Sequence, residues 1–397
     1  MIVVIADDFT GAAEIGGIGL QYGLNVVIET EQITHTETDL LVIDANTRSY
    51  NANEAEKIIK NITLKLLELR PQFIYKKIDS VLRGHVLDEL MAQMSITNKK
   101  RALVIAANPN FKRIIKDGYY YINQVPLHKT SFSSDPEYPV NNSSVYEIVG
   151  NKIIEVYSSV KPGDLLPDNG LIIGDVVKKE DLEKWAMLVD NNNMDIAGAS
   201  GFFNVLLNKR FNISPKSFLP GHLTGKKCLF VLGSIYPKDI DFFEMLKRRN
   251  YYISNMPGDL YYETQPVSGI INKWADEIVD AIEKNDKVVV TISHSPKNYK
   301  EFSLKIKEYI GRLTLQVFKR VKIDELLIEG GSTTSSILKY LNINKLYPFQ
   351  IFDIGIIRMK NEVYPDSHIT TKPGSYLWPP DLWKQKDIKT FDKIITN

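Results

Sequence analysis

Short apolar runs that stop abruptly at polar residues alternate along the chain with longer stretches whose apolar positions recur at helical spacing. Four early runs share the first form: "IVVIADD" from Ile2, "LLVIDANTR" from Leu40, "FIYKKIDS" from Phe73 and "ALVIAANPN" from Ala102. Such runs, apolar without alternation, read as strands buried on both faces. Between them, Ala55, Ile58, Ile59, Ile62, Leu66 and Leu69 mark one face of a helix, and Gly11 to Tyr22 predicts a helix after the first strand. Strand and helix in alternation imply parallel pairing with right-handed crossovers, hence an α/β fold.

The rhythm breaks at "SPKSFLPGHLTGKK", rich in proline, glycine, serine and lysine, and restarts with "CLFVLGS", "KVVVTIS" and "ELLIEGGSTTSSILKYL". The 397 residues exceed what one core ordinarily holds, about 250 to 300 residues. We therefore expect two domains, 1–220 and 221–397, each with a mainly parallel sheet flanked by helices.

In a parallel sheet the carboxyl ends of the strands share one edge, where open α/β folds bind ligands. Asp7 and Asp8, then Asp44, Thr47 and Arg48, then Lys77, Asp79, Ser80 and Arg83, and finally Asn108 all fall at or just past strand ends. Acids and bases from separate strands should therefore converge on one rim. Two adjacent carboxylates at the end of a buried strand are costly without partners, which marks Asp7 and Asp8. "KKIDSVLRGH" could be a solvated face, but it reads equally as an anion clamp, since arginine grips carboxylate or phosphate with two parallel bonds.

Three turns of small residues follow in the second half. "LIEGGSTTSSIL" runs from strand to helix through Gly330 and Gly331, with Ser332 or Thr333 placed to cap the helix, and "FVLGSIYP" repeats the form at Gly233 and Ser234. "TTKPGSY" offers Gly374 and Ser375 behind Lys372. Glycine lets backbone approach a ligand, and amides at a helix start attract phosphate. No Walker A motif exists, "GHLTGKK" being one residue short, and "GAAEIGGIG" misses the G-x-G-x-x-G spacing of a dinucleotide fold.

Composition narrows the partners. With 49 basic and 48 acidic residues the net charge is +1, and no basic block supports nucleic acid or an anionic membrane, so the ligand is expected to be small. The single cysteine, Cys228, lies in an apolar run and reads as an inert buried thiol, which suits a reducing compartment. The first apolar run is shorter than a signal-peptide core of about 7 to 15 residues, so a cytoplasmic protein is expected. The histidines, His85, His128, His294 and His368 among them, show no paired metal-ligand spacing, and no protein metal site is expected.

The opening "ADDFTGAAEIGG" is similar to the start of the four-carbon acid sugar kinases, D-D-[FL]-T-G-A-x-E, and "KKIDSVLRGHV" resembles that family's K-x-D-S-x-x-R-G segment. "DGYYYINQVPLHKTSFSSDPEYPV" resembles a further long signature, and "AGASGF", "LGS", "EGGST" and "TKPGS" follow in the family's order. The resemblance implies an N-terminal domain that binds a sugar acid and a C-terminal domain that binds ATP with magnesium. It also implies phosphorylation of threonate, erythronate or a keto analogue. It assigns Asp8, Lys77, Asp79, Ser80 and Arg83 to the substrate rim, and Ser234, the turn Gly330, Gly331, Ser332 and Thr333, and Gly374 to ATP. Where this chain has Ser332, the family often carries an acid.

The residue types suit phosphoryl transfer in their own right. A hydroxyl attacking a γ-phosphate needs an acceptor for its proton, and cations must hold the acid and the phosphoryl group. Asp8 is the expected base, with Asp79 as the alternative. Asp7 is expected to shape the turn, for instance by accepting backbone amides. Lys77 is expected to serve the transfer beside them, and Asp7, Arg48, Ser80, Arg83 and Gly84 are expected around the substrate. Two rival readings use the same rim: a nicotinamide-dependent dehydrogenase, which should show a glycine fingerprint, and a non-enzymatic sugar-acid sensor, which has no use for three phosphate-type turns.

Overall fold

The computed structural model describes residues 1–30, 33–34, 37–135, 138–150, 154–189, 193–216, 221–233, 240–262, 266–292, 299–374 and 376–383. The first half contributes strands β1 (Ile2–Ala6), β2 (Val26–Glu29), β3 (Leu40–Asp44), β4 (Phe73–Lys77) and β5 (Arg101–Ile105). A hairpin excursion follows as β6 (Arg113–Lys116), β7 (Tyr119–Ile122) and β8 (Val125–Pro126), then β9 (Val156–Val160), β10 (Gly170–Gly174) and β11 (Asp195–Gly198). The second half supplies β12 (Cys228–Leu232), β13 (Tyr252–Asn255), β14 (Lys287–Thr291), β15 (Glu325–Glu329), β16 (Lys345–Asp353), β17 (Ile356–Asn361) and β18 (His368–Lys372). Four helices place the site: α1 (Phe9–Gln21), α2 (Ala52–Glu68), α3 (Val86–Thr97) and, after a longer interval, α4 (Ser200–Lys209); α5 (Gly331–Tyr340) joins them from the second half.

All but the hairpin strands form one sheet in the order β13-β14-β12-β15-β18-β17-β16-β2-β3-β1-β4-β11-β5-β10-β9. The expected mainly parallel α/β architecture is present, and the two strand sets meet edge to edge through a short antiparallel pairing of β16 with β2, Lys345 opposite Glu29 and Leu346 opposite Ile28. The two parallel sets run in opposite directions, joined by the antiparallel hairpin of β16, which runs with the second-half set, and β17, which runs with the first. The four strands read from the first apolar runs are all here, but β11 lies between β4 and β5.

Local chemistry accounts for the main elements. The five residues of β1 are buried on both faces, as expected of a strand inside a covered parallel sheet. Helix α2 starts in a capping box, Asn51 with Glu54, and buries Ala55, Ile59, Thr63 and Leu66 at four-residue and three-residue steps. Helix α1 owes its glycines to packing: a Cβ on Gly17 would lie 2.3 Å from Ile357 Cδ1 of β17, so only a bare backbone lets α1 seat against the second half. Gly16, against Pro348, and Gly17 thus serve the contact between the halves, while Gly11 faces Asp8 and Lys77.

Parallel register carries the site. Ala6 stands beside Asp44 on β3 and beside Lys77 on β4, so the residues just past all three strands emerge at one level. The chain leaves β1 toward β2 and β3 on one side and leaves β4 toward β5 on the other, making the gap between β1 and β4 a topological switch point. The second half repeats this between β12 and β15.

Candidate active site

Asp8 ends the first strand and begins the first helix. In extended backbone (φ −147°, ψ 162°) it is the N-cap of α1, its Oδ1 accepting the Gly11 amide at 2.8 Å. Its Oδ2 accepts from Thr10 Oγ1 at 2.7 Å and Arg48 Nη1 at 2.8 Å. Burial alone would raise its pKa, but Arg48, Lys77 and these hydrogen bonds outweigh it and hold the carboxyl below the ordinary range. The amide-accepting role expected of Asp7 therefore belongs to Asp8. Asp7 instead binds Arg48 through Oδ2, at 3.0 Å from Nε and 2.6 Å from Nη2, while its Oδ1 is buried with no hydrogen-bond partner among the described residues. Burial pushes the Asp7 carboxyl up, with Arg48 opposing.

Arg48 follows Asn46, which takes a left-handed turn (φ 48°) off β3, and its guanidinium spans Asp7, Asp8 and, at 3.7 Å, Asp79. Asp79 organises the "DSVLRG" turn: one carboxylate accepts the Val81 and Arg83 amides, each at 3.1 Å, and both nitrogens of the Arg83 fork, at 3.0 and 2.7 Å. Burial opposes ionisation there, but Arg83 and Arg48 dominate and drive its pKa far down. Arg83 also reaches Asp135 at 2.7 Å and lies over the Phe132 ring. The two arginines expected to grip a ligand are thus each braced by aspartates.

Lys77 and Ser80 complete the expected rim. Lys77 Nζ donates to Ile78 O at 2.9 Å and lies 4.0 Å from Glu14 Oε2. Gly84 takes φ +88°, a conformation that favours glycine, with Arg48 Cγ 3.5 Å from where its Cβ would sit. Asp8, Arg48, Lys77, Asp79, Ser80 and Arg83 line one cleft, whereas Asp7 and Gly84, expected at the substrate, stand behind its lining; with them are several that the sequence did not single out as ligand contacts: Glu14 on α1, Arg113, Phe132, Ser200 at the start of α4, and Tyr376. Arg113 and Phe132 come from the segment containing the hairpin, the "DGYYYINQVPLHKTSF" signature and its approach. Arg113 Nη1 bonds Ser80 Oγ, and the buried Tyr120 donates to Ser80 O at 2.6 Å, so that segment is fastened to the rim.

The second half brings its turns to the same place. Gly330, with φ +98°, is the N-cap of α5, and neither Ser332 nor Thr333 caps the helix by a side-chain bond as expected. The Gly330 amide donates to Lys372 O at 2.8 Å, joining the ends of β15 and β18, and Lys372 Nζ meets Glu329 at 3.2 Å and donates to Pro373 O at 2.8 Å. A Cβ on Gly233 would strike Thr333, so the end of β12 touches the same helix start. Gly330, Gly331, Ser332, Thr333 and Gly374 therefore share one strand-end edge. Ser234 and Ser375 lie outside the described residues.

The two rims meet at Asp8. A Cβ on Gly331 would lie 3.2 Å from Asp8 Oδ2 and 3.3 Å from the Thr10 amide, so the starts of α1 and α5 abut. Pro373 and Tyr376, from the second half, wall the cleft of the first, and burial pushes the Tyr376 hydroxyl up to about 12. Ser335 on α5 donates to Asp44 Oδ2 at 3.2 Å. Burial, with Asp8 nearby, lifts the Asp44 carboxyl to about 7. Cys228 is buried with its thiol pushed up to about 12 by burial, in keeping with an inert role. Among the described residues no helix is long and apolar enough to cross a membrane.

Acids, cations and two abutting helix starts are thus gathered in one strand-end cleft of an α/β chain. Residues 2–206 match the family model of a sugar-binding N-terminal domain, and the chain belongs to that family. It is similar to a D-threonate kinase of Salmonella typhimurium, 32% identical over 223 residues that cover 52% of this chain and 53% of that protein. A D-erythronate kinase of Heliobacterium modesticaldum is 24% identical over 253 residues, 59% of this chain and 57% of that one. A 3-oxo-tetronate kinase of Actinobacillus succinogenes is 28% identical over 156 residues, 38% of each. The chain spans about half the length of the first two relatives. The fold is shared with a crystal structure from Salmonella typhimurium LT2, TM-score 0.76 at 17% identity over 96% of this chain and 97% of that one. It is shared also with a Haemophilus influenzae protein, TM-score 0.69 at 17% identity over 96% and 98%.

Proposed function

We propose that the chain is an ATP-dependent kinase that phosphorylates a hydroxyl of a four-carbon sugar acid: threonate, erythronate or a keto analogue. The observation that carries this reading is the meeting at Asp8 of two switch-point rims, one rich in cations and one built of small-residue turns at a helix start. Its similarity to D-threonate, D-erythronate and 3-oxo-tetronate kinases supports it. Residues 1–220 bind the sugar acid and residues 221–397 the nucleotide, with Gly330, Gly331, Ser332, Thr333, Gly374 and Ser234 toward the phosphates.

In the transfer, the substrate hydroxyl oxygen bonds to the γ-phosphorus as the bond to the β,γ-bridging oxygen breaks and ADP departs. The hydroxyl proton passes to Asp8 and then to solvent. Asp8 is a weak base, and a loose transition state that keeps the proton on the nucleophile until late suits it. Asp79, saturated by Arg83 and two amides, positions the cations instead of taking a proton. Lys77, Ser80 and Arg83 bound the acceptor pocket, Gly84 lets the turn pass beside Arg48, and Arg48 with Asp7 holds Asp8 in place. Magnesium would neutralise charge on the nucleotide phosphates, and the carboxylates of Asp7 and Asp8 and the hydroxyls of Ser332 and Thr333 are the hard oxygen donors that would hold it. An ATP-dependent enzyme of small acids with one buried thiol fits the cytoplasm.

A coupled ADP-release assay over the threonate and erythronate isomers and their keto analogues tests the reading. We expect turnover with at least one acid in the presence of ATP and magnesium. Reduction of NAD with none of the acids phosphorylated would overturn it.

A further inference from the structure

The charges of the cleft are unevenly spent. Arg48 and Arg83 are each held by aspartates, whereas Arg113 has Ser80 and the face of Phe132 as its neighbours, with no carboxylate in ion-pair distance among the described residues. Elsewhere in the same cleft stands a carboxylate that the proposed reaction does not use. Glu14, on α1, accepts Ser200 Oγ at 2.8 Å through Oε1, and its Oε2 lies 4.0 Å from Lys77 Nζ, the outer limit of an ion pair.

An acid in the wall of a pocket for acids needs a reason. An ionised carboxylate only accepts hydrogen bonds, so it favours hydroxyl donors and disfavours a second carboxylate. The adjoining cavity beyond Glu14 is lined by the uncharged Gln21, Asn108, Asn110 and Asn204 and by no basic side chain, so nothing there would offset a further negative charge. Within the cleft, Arg113 beside Ser80 is thus a cation with no carboxylate partner among the described residues, and Glu14 beside Ser200 is a carboxylate whose one cation among them, Lys77, stands at the limit of pairing.

We propose that Glu14 is the specificity-determining residue of the acceptor pocket: it accepts a hydroxyl of the sugar acid and repels carboxylate, so that the substrate's acid group lies toward Arg113 and dicarboxylic sugar acids are rejected. The proposal rests on the sugar-acid reading above and adds the class of acid that the pocket excludes.

Titration calorimetry on the full chain tests it without requiring turnover. The probes are threonate or erythronate and the tartrate of matching configuration, which differs only in a carboxylate where the terminal hydroxymethyl stands. The wild type should bind the monoacid at least about tenfold more tightly than the diacid. Glu14→Gln should weaken the monoacid by about tenfold, the scale of one charge-assisted hydrogen bond, and tighten tartrate, so that the preference collapses. Ser200→Ala keeps the charge and should still reject tartrate. Equal binding of both acids by the wild type, or an unchanged preference in a folded Glu14→Gln, overturns the proposal while leaving the kinase reading intact. If the wild type binds neither acid, the sugar-acid reading falls and this proposal with it.

Discussion

Replacing Arg48 with methionine removes a cation shared by three carboxylates while keeping most of the apolar stem. The guanidinium lies 2.6 Å from Asp7, 2.8 Å from Asp8 and 3.7 Å from Asp79, and its own side chain is only 17% exposed. Unit charges about 4 Å apart attract by about 4 kcal/mol at an effective dielectric of 20, before the cost of desolvation. Removing one partner from a buried pair typically costs about 3 to 5 kcal/mol. Asp8 keeps Thr10 and the Gly11 amide, and Asp79 keeps Arg83, so Asp7 carries most of the loss. We expect about 3 kcal/mol in urea unfolding at pH 7, the low end of that range.

The pH dependence of that loss is also set. Asp8 has a folded pKa below its unfolded value, so its pairing stabilises above about pH 3.9 and is lost as pH falls through the folded value. Asp7, already held up by burial, is pushed further up when Arg48 is lost, so its larger share of the gap also vanishes once it is protonated in both variants; the gap should be largest at neutral to alkaline pH and close as pH falls through the acid range. Asp7→Asn in the Arg48→Met background should recover a large part of it. A loss under about 1 kcal/mol at pH 7, the scale of an exposed pair, with no pH dependence, would mean that Arg48 does not neutralise these acids.

Two further outcomes follow from the same geometry. Asp44 has a folded pKa of about 7, above its unfolded value, so its burial penalty is absent below about pH 4, grows toward pH 7 and then levels. Asp44→Asn, which keeps an acceptor for Ser335, should be more stable than wild type at pH 8 by about 2 to 4 kcal/mol and match it at pH 4; a pH-independent difference in urea unfolding would refute this. Asp8→Asn should lower kcat by about 10² to 10⁴ fold, the range for losing a general base, with ligand affinities by calorimetry little changed. Asp79→Asn should act mainly through stability and KM; a collapse of kcat for Asp79→Asn with near-normal turnover for Asp8→Asn would reverse the two roles.

The rim was legible because a strand buried on both faces cannot continue into charge, so each abrupt polar stop marked a strand end. Parallel register then had to bring Asp8, Asp44 and Lys77 to one level. The division of labour between Asp7 and Asp8 was not legible, since it depends on which of two neighbours takes the extended backbone of the cap. Arg113, Glu14 and Tyr376 escaped for a different reason: they reach the cleft from a hairpin, a helix flank and the other half of the chain. Glu14 carried one signal, its place in the "DDFTGAAE" motif, and no local pattern showed which way it would face. The four-residue strand "DIAG" was too short to stand out, yet it separates β4 from β5 and delivers Ser200 to the cleft.

ADP release alone does not distinguish transfer to the acid from hydrolysis by water. Phosphorus NMR of the full chain with ATP, magnesium and the preferred threonate or erythronate isomer does. The account predicts a phosphate monoester signal that grows in step with ADP, with little inorganic phosphate, because an acceptor hydroxyl held beside Asp8 has the advantage of position over bulk water. ADP accompanied only by inorganic phosphate, or ATP left unconsumed with every acid, would contradict it.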